Sequence, residues 1–142
     1  MKKVFIGIDP DVEKSGFAFT DGKITTLQNL TFFQLYDTLI DYQKRYRESL
    51  NVYIECGFLN KGNWHKTSGS NSVNAQIGQR TGANHETAKK IVEMCEYLGI
   101  ESVKVKPTKS KVNADFFKQI TKIGLRTNQE QRDAYMLIHG LK

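Results

Sequence analysis

The sequence predicts an α/β domain in which helices flank a five-stranded mixed sheet. The first observation is the continuous apolar run at residues 4–8, which is typical of a strand buried on both faces. The second is Asp21-Gly22 between two strand-like segments, a strong hairpin signal. The third is the alternation of helical spacing with short strands after residue 30, which adds flanking helices to the sheet.

The predicted elements follow in order along the chain. Strands are expected at residues 3–9, 15–20, 23–30, 52–54 and 103–105, and helices at 31–48, 75–98, 113–122 and 128–139. Leu35 and Leu39 have the spacing of one helix face, Gly99 follows the end of the second helix, and Pro107 stops the last strand. Residues 57–74 show no regular period, which indicates a functional or mobile loop.

Size and composition describe one soluble globular domain covering residues 1–142, with 39% hydrophobic and 25% charged residues. Cys56 and Cys95 lack the spacing of a metal site or a disulfide framework, so we expect buried thiols in a reducing compartment. The N-terminal apolar run is short and is broken by Asp9, and no stretch is long enough to cross a membrane. These features predict a cytoplasmic protein without membrane contact.

The basic character of the chain suggests a polyanionic partner. The formal charge is +6, and residues 102–132 contain eight basic side chains against two acidic ones. Such a run fits nucleic acid, but a solvated helix face gives the same pattern. Net charge alone therefore does not identify nucleic acid as the partner, and the inference needs support from a recognisable chemical site.

Carboxylates stand at the ends of two of the predicted strands. If the strands that carry Asp9 and Glu55 are parallel neighbours, about 4.8 Å apart, these carboxylates repel unless a cation lies between them. Glu130 and Asp133, spaced i and i+3, share one face of the last helix. Carboxylates from three distant segments suit Mg²⁺ or Mn²⁺, and two such ions can support phosphodiester hydrolysis.

Each carboxylate also has a simpler interpretation. Asp9 with Pro10 is a common way to open a turn. Glu130 and Asp133 are also acidic residues of a first helical turn, where the helix dipole favours them. The joint pattern favours a metal site without identifying a reaction.

Five short motifs occur in a characteristic order. They are IGIDP at 6–10 with Gly16-Phe17, IE at 54–55 with Phe58, IGQRTGA at 77–83, Pro107 with Lys111 and KQI at 118–120, and DA at 133–134. In type and order they resemble the motifs of the RuvC family of Holliday-junction resolvases, which belongs to the RNase H-like nucleases. The resemblance spans almost the whole chain and implies an RNase H-like fold.

The resemblance implies a homodimeric, magnesium-dependent endodeoxyribonuclease that resolves four-way (Holliday) junctions in DNA recombination and repair. Asp9, Glu55, Glu130 and Asp133 would be the metal ligands for two Mg²⁺ ions, with Mn²⁺ as an alternative, and Lys118 would assist catalysis. Residues 1–142 would form one RuvC-type nuclease domain. Two nicks across the junction would leave 5′-phosphate and 3′-hydroxyl ends.

Two positions depart from the family pattern. Asp11 replaces the glycine that usually follows Pro10, which adds negative charge near the expected metals. Glu130 stands where the family has a shorter Asp or a His, although a longer arm could still reach a metal.

Contacts with DNA are expected from aromatic, basic and amide side chains. The candidates are Phe58, Trp64, Lys66, Gln79, Arg80, Lys109, Lys111 and Lys118. Phe58 could stack on an exposed base or belong to the core, and Trp64 could contact DNA or pack on the body. For lysines such as Lys109 the alternative is a solvated face. The segment from Gly78 to Ala83 could allow close helix packing at a dimer contact.

Three other functions compete with junction resolution. A nuclease of the same fold could act on other branched DNA or on RNA. A catalytically inactive junction-binding module would keep the basic surface without cleavage. An actin-like ATPase also begins with an apolar-Gly-Ile-Asp strand, but it needs a second domain for which 142 residues leave no room.

Overall fold

The computed structural model describes residues 2–60, 71–108 and 110–142. Its strands are β1 (Val4–Asp9), β2 (Ser15–Thr20), β3 (Thr25–Leu30), β4 (Leu50–Glu55) and β5 (Ser102–Val105). Its α-helices are α1 (Phe32–Tyr46), α2 (Asn71–Tyr97), α3 (Ala114–Thr121) and α4 (Gln129–Met136). All nine of the predicted elements are present in the described ranges. Within those ranges no helix combines the length and the apolar character that a membrane span requires.

The five strands form one mixed sheet in the order β3-β2-β1-β4-β5. β1, β2 and β3 pair in antiparallel fashion, whereas β4 is parallel to both β1 and β5. The central position of β1 explains its continuous apolar run, because both faces of this strand are covered. The predicted five-stranded mixed sheet with flanking helices is therefore confirmed.

Two separate hydrophobic cores cover the two faces of the sheet. Ile6 and Ile8 of β1 point into the larger core with apolar residues of α1 and α2. Phe5 points to the opposite face, into a smaller core with residues of α3 and α4. Cys56 and Cys95 are free and buried in the larger core, as the sequence predicts. The smaller core places α4 directly on the central strand.

Several element boundaries differ from the sequence prediction for local reasons. β3 begins at Thr25 because the Asp21 Oδ1 atom accepts hydrogen bonds from the backbone N–H groups of Lys23 and Ile24, at 2.8 and 2.7 Å. α2 begins at Asn71, so the last part of the expected irregular loop is helical.

Helices α1 and α4 are shorter than the sequence predicts. α1 ends at Tyr46, since Arg47 adopts a positive φ of 48°. α4 ends at Met136, and the chain continues through turns. Neither change moves a candidate metal ligand out of its predicted element.

Candidate functional site

Asp9 and Glu55 lie side by side at one edge of the sheet. β1 and β4 are parallel neighbours, and their register pairs Ile8 with Ile54, so the residues that follow come level with each other. Both preceding isoleucines are fully buried, and the Glu55 side chain is only 13% exposed. The two strands that the sequence left as possible neighbours are parallel neighbours, and their pairing brings two carboxylates together at the margin of the core.

Two glycines allow α4 to approach this edge of the sheet. A Cβ atom at Gly7 would lie 2.0 Å from the carbonyl oxygen of Ala134, and one at Gly16 would lie 2.1 Å from that of Glu130. Gly16 is also the partner of Asp9 in the antiparallel register. The α4 backbone thus rests on β1 and β2 beside Asp9, because no side chain separates them.

Negative charge converges on Asp9. Burial raises the pKa of Asp9 to about 8, and the neighbouring carboxylates of Glu55 and Asp133 add to the increase. Glu130 contributes in the same direction and by less. The pKa of Glu55 is also raised, chiefly by burial, while Lys111 lowers it and Asp133 raises it. The three buried or half-buried carboxylates from β1, β4 and α4 are therefore one electrostatic unit.

Lys111 is the cation nearest to this unit among the described residues. Its Nζ donates a hydrogen bond to the Asp133 Oδ2 atom at 3.1 Å and lies 3.8 Å from the Glu55 Oε1 atom. Burial tends to lower the pKa of Lys111, but the charges of Glu55 and Asp133 outweigh it and raise the pKa. The lysine that the sequence analysis assigns to DNA contact thus stands against the carboxylates in this structure.

The two acidic residues of α4 differ in their surroundings. The Asp133 side chain is 12% exposed and accepts a hydrogen bond from the Gln129 Nε2 atom at 2.7 Å. Glu130 is exposed in the first turn of α4, whose start is fixed by the capping box between Asn128 and Gln131. Asp133 therefore belongs to the inner part of the site, and Glu130 lies at its rim.

The first half of α2 borders the two segments that follow β1 and β4. Arg80 donates from Nη2 to both carboxylate oxygens of Asp11, at 3.1 and 3.3 Å. The Asn84 Oδ1 atom accepts from the backbone N–H of Val12 at 3.0 Å. A Cβ atom at Gly57 would lie 3.0 Å from the imidazole of His85. The extra charge of Asp11 is thus paired with Arg80.

The remaining candidate residues are spread over the surface around the site. Phe58 packs partly buried against the larger core, with the Lys89 Nζ atom 5.6 Å from its ring centroid. Gln79 and Lys118 are exposed on α2 and α3, and no hydrogen bond or ion pair among the described residues joins Lys118 to the carboxylates. Trp64, Lys66 and Lys109 lie outside the described residues. The roles of all these residues in DNA binding remain predictions.

The donor set fits a hard divalent cation in its chemistry. All candidate ligands offer carboxylate oxygens, the ligands that Mg²⁺ and Mn²⁺ prefer, and a cation would relieve the repulsion at Asp9. Across residues 2–60, 71–108 and 110–142, no three Asp, Glu, His or Cys side chains are arranged as a ready-made metal site. In this arrangement, the Lys111 ammonium supplies the positive charge between Glu55 and Asp133.

Comparison with solved structures assigns the fold to the RNase H-like class predicted from the sequence. Two similar structures are RuvC from Thermus thermophilus. RuvC in complex with Holliday junction substrate gives a TM-score of 0.54 at 13% identity, covering 95% of this chain and 89% of that chain. A second RuvC structure gives a TM-score of 0.52 at 13% identity, covering 94% and 90%. No protein-family model and no curated protein matches the sequence. The predicted likeness to RuvC is thus confirmed at the level of the fold.

Proposed function

We propose that this protein is a metal-dependent endonuclease that resolves four-way (Holliday) DNA junctions. The proposal rests mainly on one observation: Asp9, Glu55 and Asp133 lie close together at the ends of the central strands β1 and β4. The fold that holds them is similar to that of RuvC in complex with Holliday junction substrate. Burial and mutual repulsion of carboxylates are costly, and a catalytic cation accounts for that cost.

Asp9, Glu55 and Asp133 are the proposed metal ligands, with Glu130 at the rim as a fourth. Two bound Mg²⁺ ions, or Mn²⁺ in their place, would activate a water molecule and stabilise the leaving oxygen of a phosphodiester. Asp9 must be ionised to bind a cation, so its raised pKa means that metal binding releases a proton near neutral pH. Lys111 would then exchange its contact with the carboxylates for a contact with a DNA phosphate.

The surface around the site offers groups for DNA. Lys118, Gln79 and Arg80 are exposed, and Arg80 lies beside the segment that follows β1. Such contacts position a phosphate backbone without reading its sequence. With Phe58, Trp64, Lys66 and Lys109 from the sequence analysis, they form the proposed junction-binding surface of one nuclease domain over residues 1–142.

A homodimer would place two such sites on one junction. Gly78 and Gly82 of α2 have nothing within 4 Å of an added Cβ atom among the described residues, which leaves room for a partner helix. Sedimentation at micromolar concentration without DNA tests this part of the proposal. A monomer under those conditions would count against the dimer and leave the single active site intact.

The first experiment is cleavage of a labelled four-way junction and of a linear duplex with matched sequence. Wild type and Asp9→Asn are compared with and without Mg²⁺, and Asp21→Asn, at the exposed β2–β3 turn, is the matched control. We expect paired symmetric nicks in the junction alone, dependent on Mg²⁺, lost in Asp9→Asn and retained in Asp21→Asn. Equal cleavage of the duplex would contradict junction specificity. Tight junction binding without cleavage, in Mg²⁺ and Mn²⁺ alike, would overturn the enzyme and leave a binding module.

A further inference from the structure

Arg132 of α4 is a buried cation without a carboxylate partner among the described residues. It is 9% exposed, and all of its hydrogen bonds go to neutral acceptors. Nε donates to the carbonyl of Val112 at 2.9 Å, and Nη1 donates to the carbonyl and the hydroxyl of Thr127 at 3.1 and 2.9 Å. A buried guanidinium is costly, so its retention in this arrangement calls for an explanation.

The remaining nitrogen of Arg132 fixes the orientation of a neighbouring amide. Nη2 donates to the Oε1 atom of Gln129 at 3.1 Å. Because a guanidinium can only donate, the Gln129 oxygen must face Arg132 and its NH₂ group must face away. That NH₂ group donates to the Asp133 Oδ1 atom at 2.7 Å and to the Val112 carbonyl at 3.3 Å. Arg132 thereby determines which group Gln129 presents to Asp133.

The two oxygens of Asp133 are held from opposite directions. Gln129 donates to Oδ1, and Lys111 donates to Oδ2 at 3.1 Å. The Val112 carbonyl, which accepts from both Arg132 and Gln129, belongs to the residue next to Lys111. One buried guanidinium therefore secures both the carboxylate of α4 and the backbone that carries its lysine partner.

We propose that Arg132 is a positioning residue, which orients the carboxylate of Asp133 through the Gln129 amide. The inference rests on the proposed function, because it treats Asp133 as a metal ligand. Hydrogen-bond partners of metal ligands fix ligand orientation, and their loss commonly weakens metal affinity by about 10- to 100-fold. Neither Arg132 nor Gln129 belongs to a sequence motif that would have identified it as part of the site.

The test is Mn²⁺ binding, measured by electron paramagnetic resonance and by calorimetry on the full chain without DNA. Wild type is compared with Gln129→Met, Arg132→Met and the double variant, at a temperature where circular dichroism shows each to be folded. We expect about tenfold weaker Mn²⁺ binding in each single variant. The double variant should bind no more weakly than the weaker single variant, since the two residues act in series.

Thr127→Val is the matched control. It removes the hydroxyl acceptor of Arg132, at 2.9 Å, and leaves Gln129 and Asp133 in place. We expect it to lower the urea midpoint without changing Mn²⁺ affinity. If Arg132→Met does not fold, Gln129→Met decides the outcome, because it removes the amide and keeps the guanidinium.

The outcomes separate the inference from the proposed function. Wild type that does not bind Mn²⁺ would overturn the metal site and the positioning role with it. Wild type that binds Mn²⁺, with Gln129→Met binding equally well, would overturn the positioning role alone. The same conclusion would follow if Thr127→Val weakened Mn²⁺ binding as much as Gln129→Met, because a loss of stability would then explain both.

Discussion

Two helices border the candidate site, and they are attached to the sheet in different ways. α4 touches β1 and β2 through its backbone, where Gly7 and Gly16 leave no side chain between helix and sheet. The first half of α2 reaches the segment after β1 through side chains, with Arg80 on Asp11 and Asn84 on the backbone of Val12. The contact of α4 is buried and steric, whereas the contact of α2 is exposed and polar.

This difference indicates a division of tasks at the site. A backbone contact in a close-packed core has no alternative arrangement of similar energy, so Asp133 on α4 has a defined position. An exposed ion pair such as Arg80–Asp11 is weak, and water or phosphate can replace either partner. The proposed metal ligands on β1, β4 and α4 thus lie on the fixed side of the site, and the first half of α2, on its adjustable side, borders the proposed DNA surface.

Gly7→Ala is expected to have the largest effect. The added Cβ atom would lie 2.0 Å from the Ala134 carbonyl oxygen, so α4 must move away from β1. We expect the free energy of unfolding to fall by about 3 kcal/mol or more, the upper end of overpacking costs, together with loss of nuclease activity. Urea unfolding measures the first and junction cleavage the second. Wild-type stability in Gly7→Ala would disprove the close contact between α4 and β1.

Asp9→Asn is expected to change the pH dependence of stability in the absence of divalent cations. Burial and neighbouring carboxylates raise the pKa of Asp9 from 3.8 to about 8, so the folded state holds this proton more tightly than the unfolded state. The resulting stabilisation is complete below about pH 3.8 and disappears as the pH rises through about 8. Urea unfolding in EDTA should show wild type losing more stability than Asp9→Asn from pH 5 to 8, by more than about 1 kcal/mol.

Asp21 provides a control, because its pKa is shifted downward whereas that of Asp9 is shifted upward. Hydrogen bonds from the backbone of Ile24 and Lys23 lower the pKa of Asp21, so its contribution to stability is lost in acid. Asp21→Asn should therefore leave the slope between pH 5 and 8 unchanged. Equal slopes in wild type and Asp9→Asn would contradict the proposed electrostatic unit.

Gly82→Ala tests the adjustable side of the site. An added Cβ atom has nothing within 4 Å among the described residues, so only helix propensity changes. We expect the isolated protein to gain about 0.5–1 kcal/mol of stability, measured by urea unfolding. In the proposed dimer the same Cβ atom would meet the partner helix, so at concentrations where the protein dimerises we expect the gain to become a loss that depends on protein concentration.

The smallest effect is expected for the ion pair between Arg80 and Asp11. A double-mutant cycle with Arg80→Gln and Asp11→Asn should give only a small coupling free energy, which declines with salt. Junction affinity is the more informative measurement, because Asp11→Asn frees Arg80 for a phosphate. We expect tighter junction binding in Asp11→Asn, and unchanged binding would argue against Arg80 as a DNA contact.

The sequence was sufficient to predict those features that depend on local pattern. The apolar run before Asp9 indicated a strand buried on both faces, and the apolar residues before Glu55 indicated a second strand, whose parallel pairing with the first is seen only in the structure. Asp133 was recognisable because it precedes an apolar stretch on a short helix. In each case hydrophobic periodicity and one polar residue sufficed.

Contacts between distant segments could not be predicted in this way. The pairing of Asp11 with Arg80 joins residues 69 positions apart, and Lys111 reaches Asp133 across 22 positions. Arg132 belongs to a basic run that composition assigns to solvent, yet it is buried. Whether a cation meets water, phosphate or a carboxylate depends on tertiary packing, which local pattern does not encode.

The contact between β1 and α4 also has a consequence for synthesis on the ribosome. β1 and β4 emerge early and carry Asp9 and Glu55, whereas α4, with Asp133, emerges after all of the strands. Until then Gly7 and Gly16 lack the helix that covers them, and the smaller core is incomplete. A nascent chain therefore cannot assemble the full set of proposed ligands, so any cutting activity toward nucleic acid would arise only once α4 has docked.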